Sequence, residues 1–189
     1  MGKFSATLHI VAAAGIAISM LAGDTRAATQ GSLGTTSTGS LNFSVTKPAR
    51  ADINNLTDLL LPVWIVGDGA VTLSEDVCVY STRPSGGYTV LATGSGSGGA
   101  FTLANGTSSL AYGVTWNDGG VGSLSSTGET LTANTISNPQ INAATTSSTC
   151  NGNTPGPTAR LIIGITNAAM SSAPSGSYVG TLTLLITPN

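Results

Sequence analysis

Three acidic side chains close together in sequence, Asp68, Glu75 and Asp76, carry oxygen ligands of the kind that hold calcium. Glu75 and Asp76 are adjacent, so on a strand they point to opposite faces, and the spacing favours a solvated strand edge over an ion site. Seven acids follow residue 27 (Asp52, Asp58, Asp68, Glu75, Asp76, Asp118 and Glu129), yet no spacing among them selects the two-carboxylate pair of a glycosidase. The glycine-rich stretch from Gly94 to Gly99 has the look of a phosphate loop, but it contains no lysine and opens no helix. It reads as a hairpin connection. Trp64, Trp116, Tyr80, Tyr88 and Tyr112 offer faces for stacking a sugar ring; with aromatics at 5%, a core claims most of them.

Imidazole chemistry depends on the N-terminus. Met1 to Lys3 gives a short positive start, and Leu8 to Leu21 is an almost unbroken apolar run. The run is short for a bilayer span, and Thr25-Arg26-Ala27 places small side chains where a signal peptidase reads them. Residues 1–27 are therefore expected to be a cleaved signal peptide, with an uncleaved anchor as the alternative. The one histidine, His9, lies inside that segment, so the mature chain is expected to hold no Ser-His-Asp triad, Cys-His dyad or His-ligated zinc. The basic residues that remain are Lys47, Arg50, Arg83 and Arg160, too scattered to neutralise a phosphate backbone. With charged residues at 7% and hydrophobic ones at 40%, a long charged helix is excluded and a buried core is possible. No enzyme activity and no cofactor is expected.

Two cysteines, Cys78 and Cys150, in a secreted chain read first as a disulfide. A metal pair or two reactive thiols would need partners this chain does not supply. Closing so long a loop is worth about 4 kcal/mol by chain-entropy arithmetic.

The elements that must carry these residues are short strands. Leu41, Phe43 and Val45 alternate with Asn42, Ser44 and Thr46. Val77 and Val79 share a face around Cys78, and Tyr88 to Thr93 is rich in β-formers. Leu110, Tyr112, Val114 and Trp116 fall on one side, and Leu161 to Ile165 suits a central strand. At the C-terminal side Leu182, Leu184 and Ile186 alternate with Thr181, Thr183, Leu185 and Thr187. Breakers separate these runs at 83–87, 94–99, 117–120 and 151–157. Helix signals are nearly absent; Asp52 to Leu61 has room for one short turn before Pro62. The stretch 117–158 reads as long loops with edge strands near Leu131 and Ile136. Many short strands at such spacing predict an all-β antiparallel sandwich.

From Gly39 onward the chain resembles subunits of archaic chaperone–usher pili of the Csu type, which share the spore coat protein U domain. The resemblance is carried by Thr38-Gly39-Ser40-Leu41-Asn42-Phe43-Ser44-Val45-Thr46, by Asp76-Val77-Cys78-Val79-Tyr80, by Leu110-Ala111-Tyr112-Gly113-Val114, and by Pro174 to Ile186 with its Gly176, Tyr178, Leu182, Leu184 and Ile186. It departs from the family where a cysteine usually follows the donor segment: Ala51 stands near that place, and Cys150 supplies the second thiol.

The resemblance implies an immunoglobulin-like sandwich that is incomplete, lacking its last strand. It implies three regions: the signal peptide 1–27, an extension 28–48 with a donor strand at 39–46, and a pilin-like domain 49–189. The donor residues would be Leu41, Phe43 and Val45, inserted into the open groove of the next subunit. The implied partners are other pilus subunits, a periplasmic chaperone and an outer-membrane usher. The implied setting is a cell-surface fimbrium serving adhesion and biofilm formation. Read from the residues alone, Leu41 to Val45 equally serves as the first strand of its own domain. The chain would then be a self-complemented monomeric binding module or adhesin.

Overall fold

The computed structural model describes residues 27–61, 63–119, 127–151 and 156–189. The signal-peptide expectation falls almost wholly on residues 1–26, outside the described residues, as do parts of the 117–120 and 151–157 breakers. The chain divides into two units, Met1–Thr46 and Lys47–Asn189.

In the first unit the backbone of Thr29 and Ser40 exchanges two hydrogen bonds of 2.8 and 2.9 Å, closing a small loop, 30–39, that is Gly, Ser and Thr apart from Gln30 and an exposed Leu33. Beyond it, residues 41–46 belong to no strand. The alternation seen in the sequence is present, but nothing pairs with it among the described residues of this unit.

Among the described residues the regular structure of the second unit is strands, one short α-helix and two 3-10 turns (Pro84–Gly86 and Ser97–Gly99). Its strands are β1 (Ala51–Asn54), β2 (Val71–Ser81), β3 (Tyr88–Gly94), β4 (Thr102–Asn105), β5 (Ser108–Ala111), β6 (Gly113–Asn117), β7 (Glu129–Leu131), β8 (Ala159–Ile165) and β9 (Leu182–Pro188). One five-stranded antiparallel sheet has the order β1-β2-β8-β6-β7. Opposite it β3 pairs with β9, and β4 pairs with β5. The apolar run Leu161 to Ile165 sits on β8 at the centre of the large sheet, between β2 and β6, and its lack of alternation matches the burial of both Leu161 and Ile162 on opposite faces.

The core lies between the sheets. Val77 and Val79 of β2, Tyr88, Val90 and Ala92 of β3, Val114 and Trp116 of β6 and Leu161 and Ile165 of β8 meet there. This is the expected antiparallel sandwich. Cys78 has the opposite parity from Val77 and Val79, so it points out of the core. It is bonded to Cys150, with the Cα atoms 5.7 Å apart, in a satellite cluster with Ala144.

The 52–61 stretch holds no helical turn; it opens as β1 and then runs without regular structure. The Gly94–Gly99 stretch is not a hairpin connection, because β3 pairs with β9 and β4 with β5, so the glycines carry the chain from one pair to another. A helix, α1 (Asn167–Ser172), follows β8; the Thr166 side chain caps it by accepting the Ala169 N–H at 3.2 Å. A single short turn of helix has too few residues to show a 3.6-residue period. Ile136 forms one isolated bridge to Leu91 rather than a strand.

The aromatics go mainly to the core rather than to a stacking platform. Tyr88 and Trp116 are fully buried and meet edge to face at 6.5 Å. The indole N–H of Trp116 donates to the Tyr88 hydroxyl at 3.0 Å, and that hydroxyl donates to Asp118 Oδ1 at 2.8 Å. Asp118 also accepts the backbone N–H groups of Ile141 and Asn142, and among the described residues no buried side-chain polar atom lacks a partner. Burial first, and then the Asp118 charge, push the Tyr88 hydroxyl well above its ordinary pKa of 10.0. The folded state therefore holds its proton where the unfolded chain loses it. The stability from this residue should be intact below about pH 10 and fall as pH rises beyond it. Urea midpoints measured from pH 8 to 11 should show that decline, and Tyr88→Phe should flatten it while lowering the midpoint at pH 8, because the Trp116 N–H is left buried without an acceptor.

Candidate functional site

Pairing in the smaller sheet leaves one strand edge open. Tyr88 and Gln140 exchange backbone bonds, and the carbonyls of Val90 and Ala92 accept from Ser137 and Asn134. The backbone groups of Tyr88, Val90 and Ala92 thus point away from β9, toward 134–140. An antiparallel ladder alternates, so β3 must reach β9 through Thr89, Leu91 and Thr93, opposite Thr187, Leu185 and Thr183. It follows that the N–H and C=O groups of Leu182, Leu184 and Ile186 point to the far side of β9. No strand among the described residues hydrogen-bonds that side. β1 comes within 8 Å of β9 but pairs only with β2.

Beside this edge the sandwich is open. A groove of about 1340 Å³ runs between the sheets. Leu182 and Leu184 of β9 line it from the smaller sheet, and Leu73 and Glu75 of β2 with Leu161 and Ile163 of β8 line it from the larger one. Their side chains share the inward parity of the core residues, so the groove continues the core beyond the packed part of the sandwich. Residues 56–66 border it as an irregular strap in which Leu60, Val63 and Val66 are exposed. The strap is tied at its start, where Glu75 Oε1 accepts the Thr57 N–H at 2.6 Å and the Thr57 hydroxyl at 2.5 Å. It is tied at its end by the Trp64 indole donating to the Gly69 carbonyl at 3.0 Å.

The residues singled out in the sequence divide between the two units. Leu182, Leu184 and Ile186 lie on the inward face of β9, half-buried. Tyr178 borders the groove, its hydroxyl donating to the Pro174 carbonyl at 2.8 Å. Gly176 has φ +152° beside Asn105, and a Cβ there would meet the Asn105 side chain. The terminal strand is shorter than the alternation suggests, because β9 starts at Leu182 and Val179 bridges to Ala104 instead. Leu41, Phe43 and Val45, in the other unit, are 74%, 86% and 82% exposed, so three large apolar side chains there are left to water.

The acidic cluster does not come together. Asp76 leaves the inward face and receives Arg160 from β8, with Nε 2.5 Å and Nη2 3.1 Å from its two oxygens. Asp68 accepts the Ile65 N–H at 2.7 Å in a tight turn. Glu75 is the surprise: it stands in the inward row Val71, Leu73, Glu75, Val77, Val79. The sequence reading began that row at Val77 and missed Leu73, Glu75, Ile163 and the strap. Extending the alternation back to Val71 would have found the first two. Chemically the groove offers unpaired backbone donors and acceptors, apolar walls and the Glu75 carboxylate, which suits an extended apolar peptide.

No family model matches this chain, and no curated protein matches it. A solved structure described as a chaperone–tip adhesin complex in CFA/I fimbriae biogenesis is similar, at 17% identity and a TM-score of 0.48, over 74% of this chain and 42% of that one. This chain thus spans less than half the length of that neighbour. Among the described residues no helix is long and apolar enough to cross a membrane.

Proposed function

We propose that the chain is a structural subunit of a secreted surface fibre that polymerises by strand donation. Leu41, Phe43 and Val45 of one copy enter the groove of the next. The observation that carries this reading is the unpaired edge of β9 beside a largely apolar groove. An edge of this kind is a template for pairing, and β-strand addition is the recognition mode that uses it. The exposed Leu41, Phe43 and Val45 supply the matching segment, alternating and uncharged. Burying three such side chains contributes roughly 1.5–3 kcal/mol each, and each new ladder bond adds about 0.5–1.5 kcal/mol net. Together these offset an association cost of roughly 4–15 kcal/mol. A head-to-tail contact does not close on itself, so it propagates as a filament.

In this reading the chain works at the cell surface. A periplasmic chaperone covers the groove before assembly, and an outer-membrane usher orders the subunits. The protein has no catalytic role and needs no cofactor. The purified full chain should give a ladder of oligomers on size exclusion and thin fibres in negative-stain electron microscopy. A species that stays monomeric at every concentration would favour the self-complemented binding module instead.

A further inference from the structure

The strap at 56–66 carries more exposed apolar surface than a connection needs. Among the described residues of the second unit ten large apolar side chains are exposed, and six of them fall in this stretch: Leu56, Leu60, Leu61, Val63, Ile65 and Val66. Leu60, Val63 and Val66 are 85%, 89% and 81% exposed although they stand at the border of a largely apolar groove. Asp58 is the one charge in the stretch. Such a segment gains by turning out of water onto an apolar wall, because burial of apolar surface is the dominant favourable term.

The ties decide which wall it can reach. Thr57 is held by Glu75 and Trp64 by the Gly69 carbonyl, so both ends are anchored beside β2. Between the anchors no hydrogen bond holds residues 58–61 or 63. Gly69 to Glu75 is six residue steps, about 20 Å when extended, and the seven steps from Thr57 to Trp64 reach at most about 25 Å. The strap thus has the length to lie along the groove as an extended run, with little to spare.

We propose that the strap is an autoinhibitory lid. Its middle, with Leu60 and Val63 foremost, turns in over Leu73, Ile163 and Leu184 and shields the free edge of β9. An unassembled copy then offers no open edge to an improper partner. The lid is built to yield: Pro62 has no N–H to give that edge, and the anchored ends keep the strap from sliding into a better register. A donor segment such as 39–46, which contains no proline, can bond the edge throughout and displace it. This displacement rests on the strand-donation reading; closure of the lid does not.

The test uses the full chain carrying Phe43→Asp, so that copies stay apart, with and without Leu60→Ser, Val63→Ser and Val66→Ser together. Amide exchange is followed by NMR at Leu182 and Leu184, whose N–H groups point to the free side of β9, and at Thr183 and Leu185, which face β3. The serines should speed exchange at Leu182 and Leu184 at least tenfold and leave Thr183 and Leu185 unchanged. Leu60→Ser alone should give at least a threefold increase, which carries the test if the triple variant does not fold. Exchange at Leu182 and Leu184 that is the same with and without the serines overturns the proposal. So does an equal acceleration at all four positions, which would be general loosening. A peptide of residues 36–48 should bind the serine variant at least tenfold more tightly, because a site closed part of the time binds in proportion to its open fraction. Weaker binding to the serine variant would make the strap a support for the donor and overturns its inhibitory role. A peptide that binds neither protein counts against strand donation alone, since exchange at Leu182 and Leu184 reports on the lid independently.

Discussion

Replacing Phe43 with Asp should abolish polymerisation and leave the sandwich folded. Phe43 is 86% exposed in the free chain, so the substitution removes no packing there. Once the segment inserts, position 43 faces an apolar groove. The variant loses roughly 1.5–3 kcal/mol of ring burial and must also desolvate a carboxylate, at a further cost of several kcal/mol. The groove offers that carboxylate no cation, because the charged side chains at its border are Asp58 and Glu75. A total above about 4 kcal/mol weakens each junction at least a thousandfold. Size exclusion should show a monomer with a wild-type circular dichroism spectrum. Mixed with wild-type chain, the variant should still accept a donor strand through its own intact groove and terminate short oligomers. Fibres of wild-type length from Phe43→Asp alone would refute strand donation through this segment.

Removing the Cys78–Cys150 bridge should cost about 4 kcal/mol, one of the largest single effects on stability in this fold. The sequence separation is 72, so the unfolded chain loses much freedom when the bridge is present. Both residues are buried, which shields the sulfur atoms until the chain opens. Alanine is the right replacement at both positions because serine would add a buried hydroxyl to the cost. The double alanine variant should show a clearly lower urea midpoint and a steeper m-value, since its unfolded ensemble is less compact. Cys78 points away from the groove, so any variant molecules that remain folded should still bind a peptide of residues 36–48. A midpoint equal to that of the oxidised wild type would show that the bridge constrains nothing that folding needs. Intact mass without reductant should read two protons below the reduced form.

The Tyr88 network illustrates a cost that composition does not display. Its three members come from β3, β6 and the residue after β6, and none is remarkable in its local context. Only their convergence makes Tyr88 hold its proton and Asp118 serve as an anchor for the 141–142 backbone. Glu75 is the same kind of case. Locally it reads as one acid in a solvated cluster; in the fold it stands on the inward row and ties the strap through Thr57.

What the sequence by itself determined is whatever follows from local periodicity and from counting. Alternation at 77–79, 110–116 and 182–186 marks strands, because successive side chains of a strand must take opposite faces, and the β-formers at 88–93 mark another. An apolar run at Leu161 to Ile165 marks a strand covered on both faces, and Leu161 and Ile162, which point to opposite faces, are both buried. Two cysteines in a chain with the marks of secretion define one bridge. The tertiary structure alone decided which edges found partners. Leu41 to Val45 and Leu182 to Ile186 show the same alternation, yet one stands exposed outside any strand and the other forms half of a groove wall. Alternation records which way a side chain points, whereas pairing depends on residues far along the chain and on where a sheet stops, and no local pattern carries that information.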